Sequence, residues 1–123
     1  LMDNAVYRDR LIALQAEVFA MKFNGMRLTT NATEKKSAGM AGMIVKLQGC
    51  ELNHRLAELA IDVMGEYGIL FEDSPFIRDH GMWQTAYMFD LGLIIGGGSA
   101  QIQKNIISER GLDMPREPKV AKK

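Results

Sequence analysis

A single cysteine, Cys50, among 123 residues leaves no partner for an intramolecular disulfide and no set of thiolates for a metal cluster. The two histidines, His54 and His80, stand far apart, so no metal site is assigned. No stretch approaches the roughly 18 uninterrupted apolar residues of a membrane span. No charged-then-apolar signal segment opens the chain. A predominance of one charge is missing too: fifteen basic residues balance fifteen acidic ones. Without a basic stripe, nucleic acid is a poor partner, because phosphate neutralisation dominates such binding. These absences suggest a cytoplasmic chain. Leu1 falls in the middle of helix-like sequence, which suggests a piece of something longer, and without secretion the Asn31-Ala32-Thr33 sequon is a chance occurrence.

Apolar residues make up 47% of the chain, enough for one domain with a real core and too few residues for two. Tyr7, Leu11, Leu14, Val18, Met21, Gly25 and Leu28 recur at alternating gaps of four and three, predicting a helix from about Asn4 to Leu28. Ile12, Phe19, Phe23 and Met26 give that helix a second apolar face. A polar connector, Asn31 to Ser37, favours an antiparallel return. The second helix is expected from Ser37 to Met64, with one seam through Met40, Met43, Leu47, Cys50, His54, Ala57, Ile61 and Met64 and another face of Leu52, Leu56, Leu59 and Val63. Glu51, Arg55 and Glu58 are at ion-pairing spacing.

The segment GEYGILFEDSPF, 65–76, breaks the period with two glycines and a proline. A third helix is expected from Ile77 to Ile95, its last residues frayed or extended, and a fourth after the glycines, ending near Gly111. No strand alternation is present. The fold class is therefore all-α: an antiparallel up-down four-helix bundle over residues 1–112, with two long helices and two shorter ones. Residues 113–123 carry prolines and charge without an apolar period and read as a disordered tail.

The run Gly96-Gly97-Gly98-Ser99 poses the functional question. Glycine costs roughly 1 kcal/mol against alanine in a helix, so three together mark a sharp turn or a close approach to the backbone. One reading is a tight interhelical turn with Ser99 as N-cap; the other is a helix start offering N–H groups to an anion or a ribose hydroxyl. The pattern is not GxGxxG and follows no strand, which excludes a Rossmann site. His54 reads as a hydrogen-bonded core histidine and Cys50 as a small apolar filler. Glu72, Asp73 and Asp79 favour the third helix's dipole without needing a catalytic role.

The stretch GGGSAQIQKNIISERGLDMPR, 96–116, closely resembles the C-terminal signature of acyl-CoA dehydrogenases. ELNHRLAELAIDVMGEYG resembles that family's long helix leading to its flavin loop, and Arg78-Asp79 with Trp83 and Tyr87 resembles its penultimate helix. The resemblance implies a four-helix C-terminal domain at the centre of a homo-oligomer, tetramer or dimer, in a larger enzyme with FAD as cofactor. It further implies α,β-dehydrogenation of an acyl-CoA thioester, a carboxylate base, and an electron-transfer flavoprotein as acceptor. Ser99 and Gln101 match FAD-contacting positions, Gly97 and Gly98 face the thioester, and Asp62, Gly65 and Glu66 match the loop that touches a neighbouring subunit's FAD. Gly97 stands where many members carry the catalytic glutamate, so the base is expected before Leu1 and the fragment alone is expected to be inactive. The alternative is a non-catalytic relative that keeps the bundle as a structural or oligomerisation module.

Overall fold

The computed structural model describes residues 3–71, 73–116 and 118. Helix α1 spans Ala5–Thr33, about 43 Å at 1.5 Å per residue. Asn4 caps it, its Oδ1 accepting from the N–H of Val6 at 3.0 Å and of Tyr7 at 3.3 Å. The helix runs five residues beyond the expected end at Leu28. Thr29, Thr30 and Thr33 each turn a hydroxyl back onto the carbonyl four residues earlier, at 3.0 to 3.1 Å, so these polar residues are accommodated inside the helix. It stops at a left-handed Lys35, φ +55°. There the N–H of Lys36 donates to Asn31 O at 2.8 Å and that of Lys35 to Ala32 O at 3.1 Å, closing the helix end without glycine.

The connector shrinks to residues 34–38, and α2 follows over Gly39–Met64. Its return is antiparallel: Asn24 Nδ2 donates to Ala41 O near one end, and Arg10 Nη1 bonds Asp62 Oδ2 at 2.6 Å near the other. Leu14, Leu52 and Leu59 form the buried core between the two helices, with Tyr7, Leu11, Met21, Leu56 and Val63 packed against it. Fully burying such a side chain is worth roughly 1.5–3 kcal/mol. Gly49 and Gly42 lie on the same face, where an added Cβ would come within ordinary contact of Met21 at 3.7 Å and Leu28 at 3.8 Å.

The expected strip of Glu51, Arg55 and Glu58 is used differently. Arg55 reaches across to α1, where Nη1 donates to Glu17 Oε1 at 2.8 Å and Nη2 to the other oxygen. Glu58 lies 4.0 Å from Arg10.

After α2 the chain makes a 3₁₀ turn, Gly65–Ile69, and another, Asp79–Gly81. Helix α3 begins at Met82, not at the expected Ile77, and runs to Ile95. The delay has a local cause: Asp79, His80 and Gly81 have φ of +48°, +53° and +71°, a left-handed stretch that no right-handed helix can include. Asp79 therefore lies outside the helix, and its Oδ2 accepts from the Trp83 indole N–H at 3.2 Å. The residues before Gly96 are helical, not extended. Helix α4 spans Ala100–Ile106 and widens into a π turn, Ile107–Gly111, close to the expected end.

The architecture is the expected all-α arrangement of two long and two shorter helices. Helix α2 is its axis. One face meets α1; the other meets α3, where the His54 and Tyr87 rings lie 4.4 Å apart, and α4, whose Gly111 lies against Met40 and Met43. The second apolar face of α1 has no cover: Ile12, Phe19, Phe23 and Met26 are about half to two-thirds exposed. Much of the expected tail, 117 and 119–123, lies outside the described residues; Asp113–Arg116 are irregular, with Arg116 Nε 3.3 Å from Glu109.

Two outcomes follow from this packing. A Cβ on Gly68 would lie 2.9 Å from Ile61 Cγ2 and 3.1 Å from its backbone carbon, so Gly68→Ala is expected to cost about 1–3 kcal/mol, read as a fall in denaturation midpoint. The Arg55 guanidinium, by hydrogen bonding and charge, holds the Glu17 carboxyl below its ordinary 4.5, and Glu17 in turn raises Arg55. The pair thus stabilises the fold above the ordinary carboxylate range and loses that contribution as pH falls through the depressed value. Glu17→Gln should lower the urea midpoint near neutral pH and have no effect in strong acid.

Candidate functional site

The glycine run between α3 and α4 forms a type II turn. Gly96 has φ −61° and ψ 132°, Gly97 has φ +70°, and the N–H of Gly98 closes the turn on Ile95 O at 3.2 Å. The third turn position requires a positive φ, which glycine supplies at no steric cost. Gly98 follows at φ +110°, where any side chain would be strained. A Cβ there would also meet Gln103 Nε2 at 2.9 Å. Ser99 then starts α4 as its N-cap, its hydroxyl accepting from the N–H of Ile102 at 3.4 Å. The tight interhelical turn with Ser99 as N-cap is therefore the reading the structure shows.

Two side chains fix the turn. Gln103 Nε2 donates to Gly97 O at 3.0 Å. Lys46, from the middle of α2, donates through Nζ to Ile94 O at 2.9 Å and to Gly98 O at 2.5 Å. Sequence reasoning did not single out Lys46. Its signal was present, because it is the one charged residue between Lys36 and Glu51, on a helix otherwise apolar there. Its ammonium also meets the carbonyl end of α3, where a cation is favoured by the helix dipole.

The residues singled out from sequence fall into two groups. Gly97, Gly98, Ser99 and Gln101 gather at the turn, with Gln101 exposed on the first turn of α4. Asp62, Gly65 and Glu66 sit at the far end of α2, about 24 Å from Lys46 by the rise from 46 to 62. Asp62 is engaged there: its carboxylate accepts from Arg10, and its carbonyl accepts from the Tyr7 hydroxyl at 3.2 Å. Glu66 is exposed and lines a pocket of about 280 Å³ with Tyr67, Leu70 and Phe76, beside which Arg78 lies 4.7 Å over the Tyr67 ring. The chain does not bring the two groups together.

His54 corrects an expectation. Its Nδ1 is buried and finds no hydrogen-bond partner among the described residues; the ring is held by stacking on Tyr87 instead. Cys50 is half-buried on the same helix. Glu72 lies outside the described residues, and among the rest no helix is long and apolar enough to cross a membrane.

Comparison with known proteins places this geometry. Acyl-CoA dehydrogenase IpdE1 of Mycobacterium tuberculosis is 34% identical over 117 residues, covering 95% of this chain and 29% of that protein. Its namesake in Mycolicibacterium smegmatis is also 34% identical, over 95% of this chain and 28% of that protein. Acyl-CoA dehydrogenase FadE26 of M. tuberculosis is 26% identical over 119 residues, covering 94% of this chain and 30% of that protein. Among solved structures, the Tcur3481-Tcur3483 steroid ACAD superposes with a TM-score of 0.83 at 20% identity. The ChsE4-ChsE5 complex from M. tuberculosis does so at 0.81 and 23%. Each covers 94% of this chain and 30% of that one, and the likeness is one of fold. The chain thus spans about three-tenths of the length of the relatives it matches. The model of the acyl-CoA dehydrogenase C-terminal domain matches residues 1–112, and the chain belongs to that family as its C-terminal helical domain.

Proposed function

We propose that this domain forms one wall of the flavin and thioester site of an FAD-dependent acyl-CoA dehydrogenase. The observation that carries the reading is the turn itself. Gly97 is exposed, and a Cβ on it would meet nothing nearer than Lys46 Cε at 4.0 Å, so its backbone leaves room for a ligand. The residues present fit the cofactor: Ser99 and Gln101 offer hydrogen-bonding groups at the turn, while Gly97 and Gly98 let a planar group and a thioester approach the main chain. FAD, when bound, supplies the acceptor for the substrate's β-hydride. The polypeptide's share is to position and shield the reacting groups.

Asp62, Gly65 and Glu66 are assigned to a second flavin, belonging to a neighbouring subunit, because they lie too far along α2 to share the first. Pairing of Asp62 with Arg10 supports the assignment, since it offsets negative charge that a pyrophosphate would otherwise meet. Gly97 cannot act as a base, so the reading gives α-proton removal to a carboxylate from another segment of the polypeptide. An electron-transfer flavoprotein is the proposed acceptor of the electrons. The domain by itself, short of the base, is inactive in this reading. Gly97 also favours the second reading, a non-catalytic relative that retains the bundle for assembly.

The exposed α1 face supports an oligomeric core. The accessible surface is 9391 Å², against about 6,600 Å² expected of a folded monomer of this mass. Ile12, Phe19, Phe23 and Met26 are therefore proposed to be covered by a neighbouring chain of the assembly. One solved structure of this fold is the ChsE4-ChsE5 complex, so the proposed neighbour is either a second copy or a related chain.

Two measurements check the proposal. Full-length protein purified with FAD should lose its oxidised-flavin absorbance anaerobically on addition of one member of a panel of straight-chain, branched and steroid acyl-CoA esters. Flavin uptake without bleaching by any ester would select the non-catalytic reading, and no uptake would end both flavin roles. Separately, Phe19→Asp with Phe23→Asp should lower the oligomeric state in sedimentation with helix content retained; an unchanged assembly would show that this face is covered otherwise.

A further inference from the structure

The Lys46 ammonium lies 2.9 Å from Ile94 O and 2.5 Å from Gly98 O, a juxtaposition that ties the end of α3 and the far side of the glycine turn to the middle of α2. We infer that Lys46 is a positioning residue for the flavin and thioester site, acting through the Gly98–Ser99 peptide; this rests on the dehydrogenase reading above.

The peptides of the described residues are trans, so a carbonyl and the N–H across its C–N bond point in opposite directions. Drawing Gly98 O onto Lys46 therefore aims the Ser99 N–H away from α2. Drawing Gly97 O onto Gln103 aims the Gly98 N–H back at Ile95 O, where it bonds at 3.2 Å. Lys46 and Gln103 thus set two consecutive peptides, one of which closes the turn while the other is left facing outward.

Glycine at 96, 97 and 98 provides no side chain to stiffen this backbone, and a peptide between Gly98 and Ser99 has little of its own to resist rotation. Among the described residues Lys46 has no carboxylate within ion-pairing distance. Its two hydrogen bonds are both to carbonyls, so its charge is directed at the turn. Gln103 holds Gly97 O but does not reach Gly98 O, and Ser99 uses its hydroxyl as the cap. No other described side chain is hydrogen-bonded to Gly98 O.

The test compares full-length wild type, Lys46→Met and Lys46→Arg by backbone amide exchange and by flavin spectroscopy. Lys46→Met is expected to speed exchange at Gly96 and Gly98 by about tenfold or more while Leu52 to Leu59 stay as in the wild type. It should also shift the oxidised-flavin absorbance and slow ester-driven flavin reduction by about tenfold or more, with a smaller change in KM, as expected for misplaced reacting groups. Lys46→Arg, which keeps the cation, should recover most of both. Unchanged exchange at the turn in Lys46→Met would overturn the clamp. Altered exchange with an unaltered flavin spectrum and rate would overturn the positioning role. Should Lys46→Met fail to fold, Lys46→Gln, which can reach one carbonyl, takes the same readings. Wild-type protein that takes up no flavin defeats the underlying dehydrogenase reading instead, and the exchange comparison then upholds or overturns the clamp by itself.

Discussion

The packing of Leu14 with Leu52 and Leu59 between α1 and α2 sets the axis on which the remaining elements are arranged. Once α2 is fixed along one face, its opposite face is presented at a defined rotation. His54 then meets Tyr87, Lys46 meets the end of α3, and Met40 and Met43 meet Gly111. Ion pairs at both levels of the seam, Arg10 with Asp62 and Arg55 with Glu17, select the register. Being largely exposed, they add little energy of their own. Apolar burial supplies the driving force, and the charges favour this register over a one-turn slip of α1 along α2.

The helices and their two-faced character were legible in the sequence because a period of three and four is a property of neighbouring residues. Leu52, Leu56, Leu59 and Val63 could be separated from Met40, Met43 and His54 by spacing alone, and the structure gives each set a different neighbour. The boundaries were less legible. Threonines at 29, 30 and 33 look like connector residues until their hydroxyls are seen bonded to the preceding turn, and the left-handed run at 79–81 includes two residues that seldom adopt it. At the site, the glycines and Ser99 were visible as local chemistry. Lys46 was not, because its role depends on carbonyls 48 and 52 positions away. Arg55 illustrates the same limit: its spacing suggested partners on its own helix, whereas the stronger partner was on α1.

The uncovered face of α1 is a consequence of how little this chain buries by itself. Its fully buried apolar residues are few and small in number beside the exposed ones, which include Val6, Ile12, Phe19, Phe23 and Met26 on α1 and Met88, Phe89 and Ile95 on α3. Single exposed apolar residues are ordinary, but a contiguous helical stripe is not. Such a stripe is the surface that the proposed neighbouring chain would cover.

The glycines then separate into two kinds. Gly68 is a packing glycine, since a Cβ there would strike the backbone of Ile61, whereas at Gly111 it would meet the movable end of Met40. Gly97 is different. Space beside it is open, with only Lys46 Cε at 4.0 Å, while its φ of +70° excludes most side chains. A tight turn needs a positive φ at that position but does not need emptiness around it. Nor does a turn need a lysine from another helix bonded to the carbonyls of Ile94 and Gly98. An exposed backbone with room beside it, held in place by Lys46 and Gln103, is what the proposed approach of a flavin and a thioester would need.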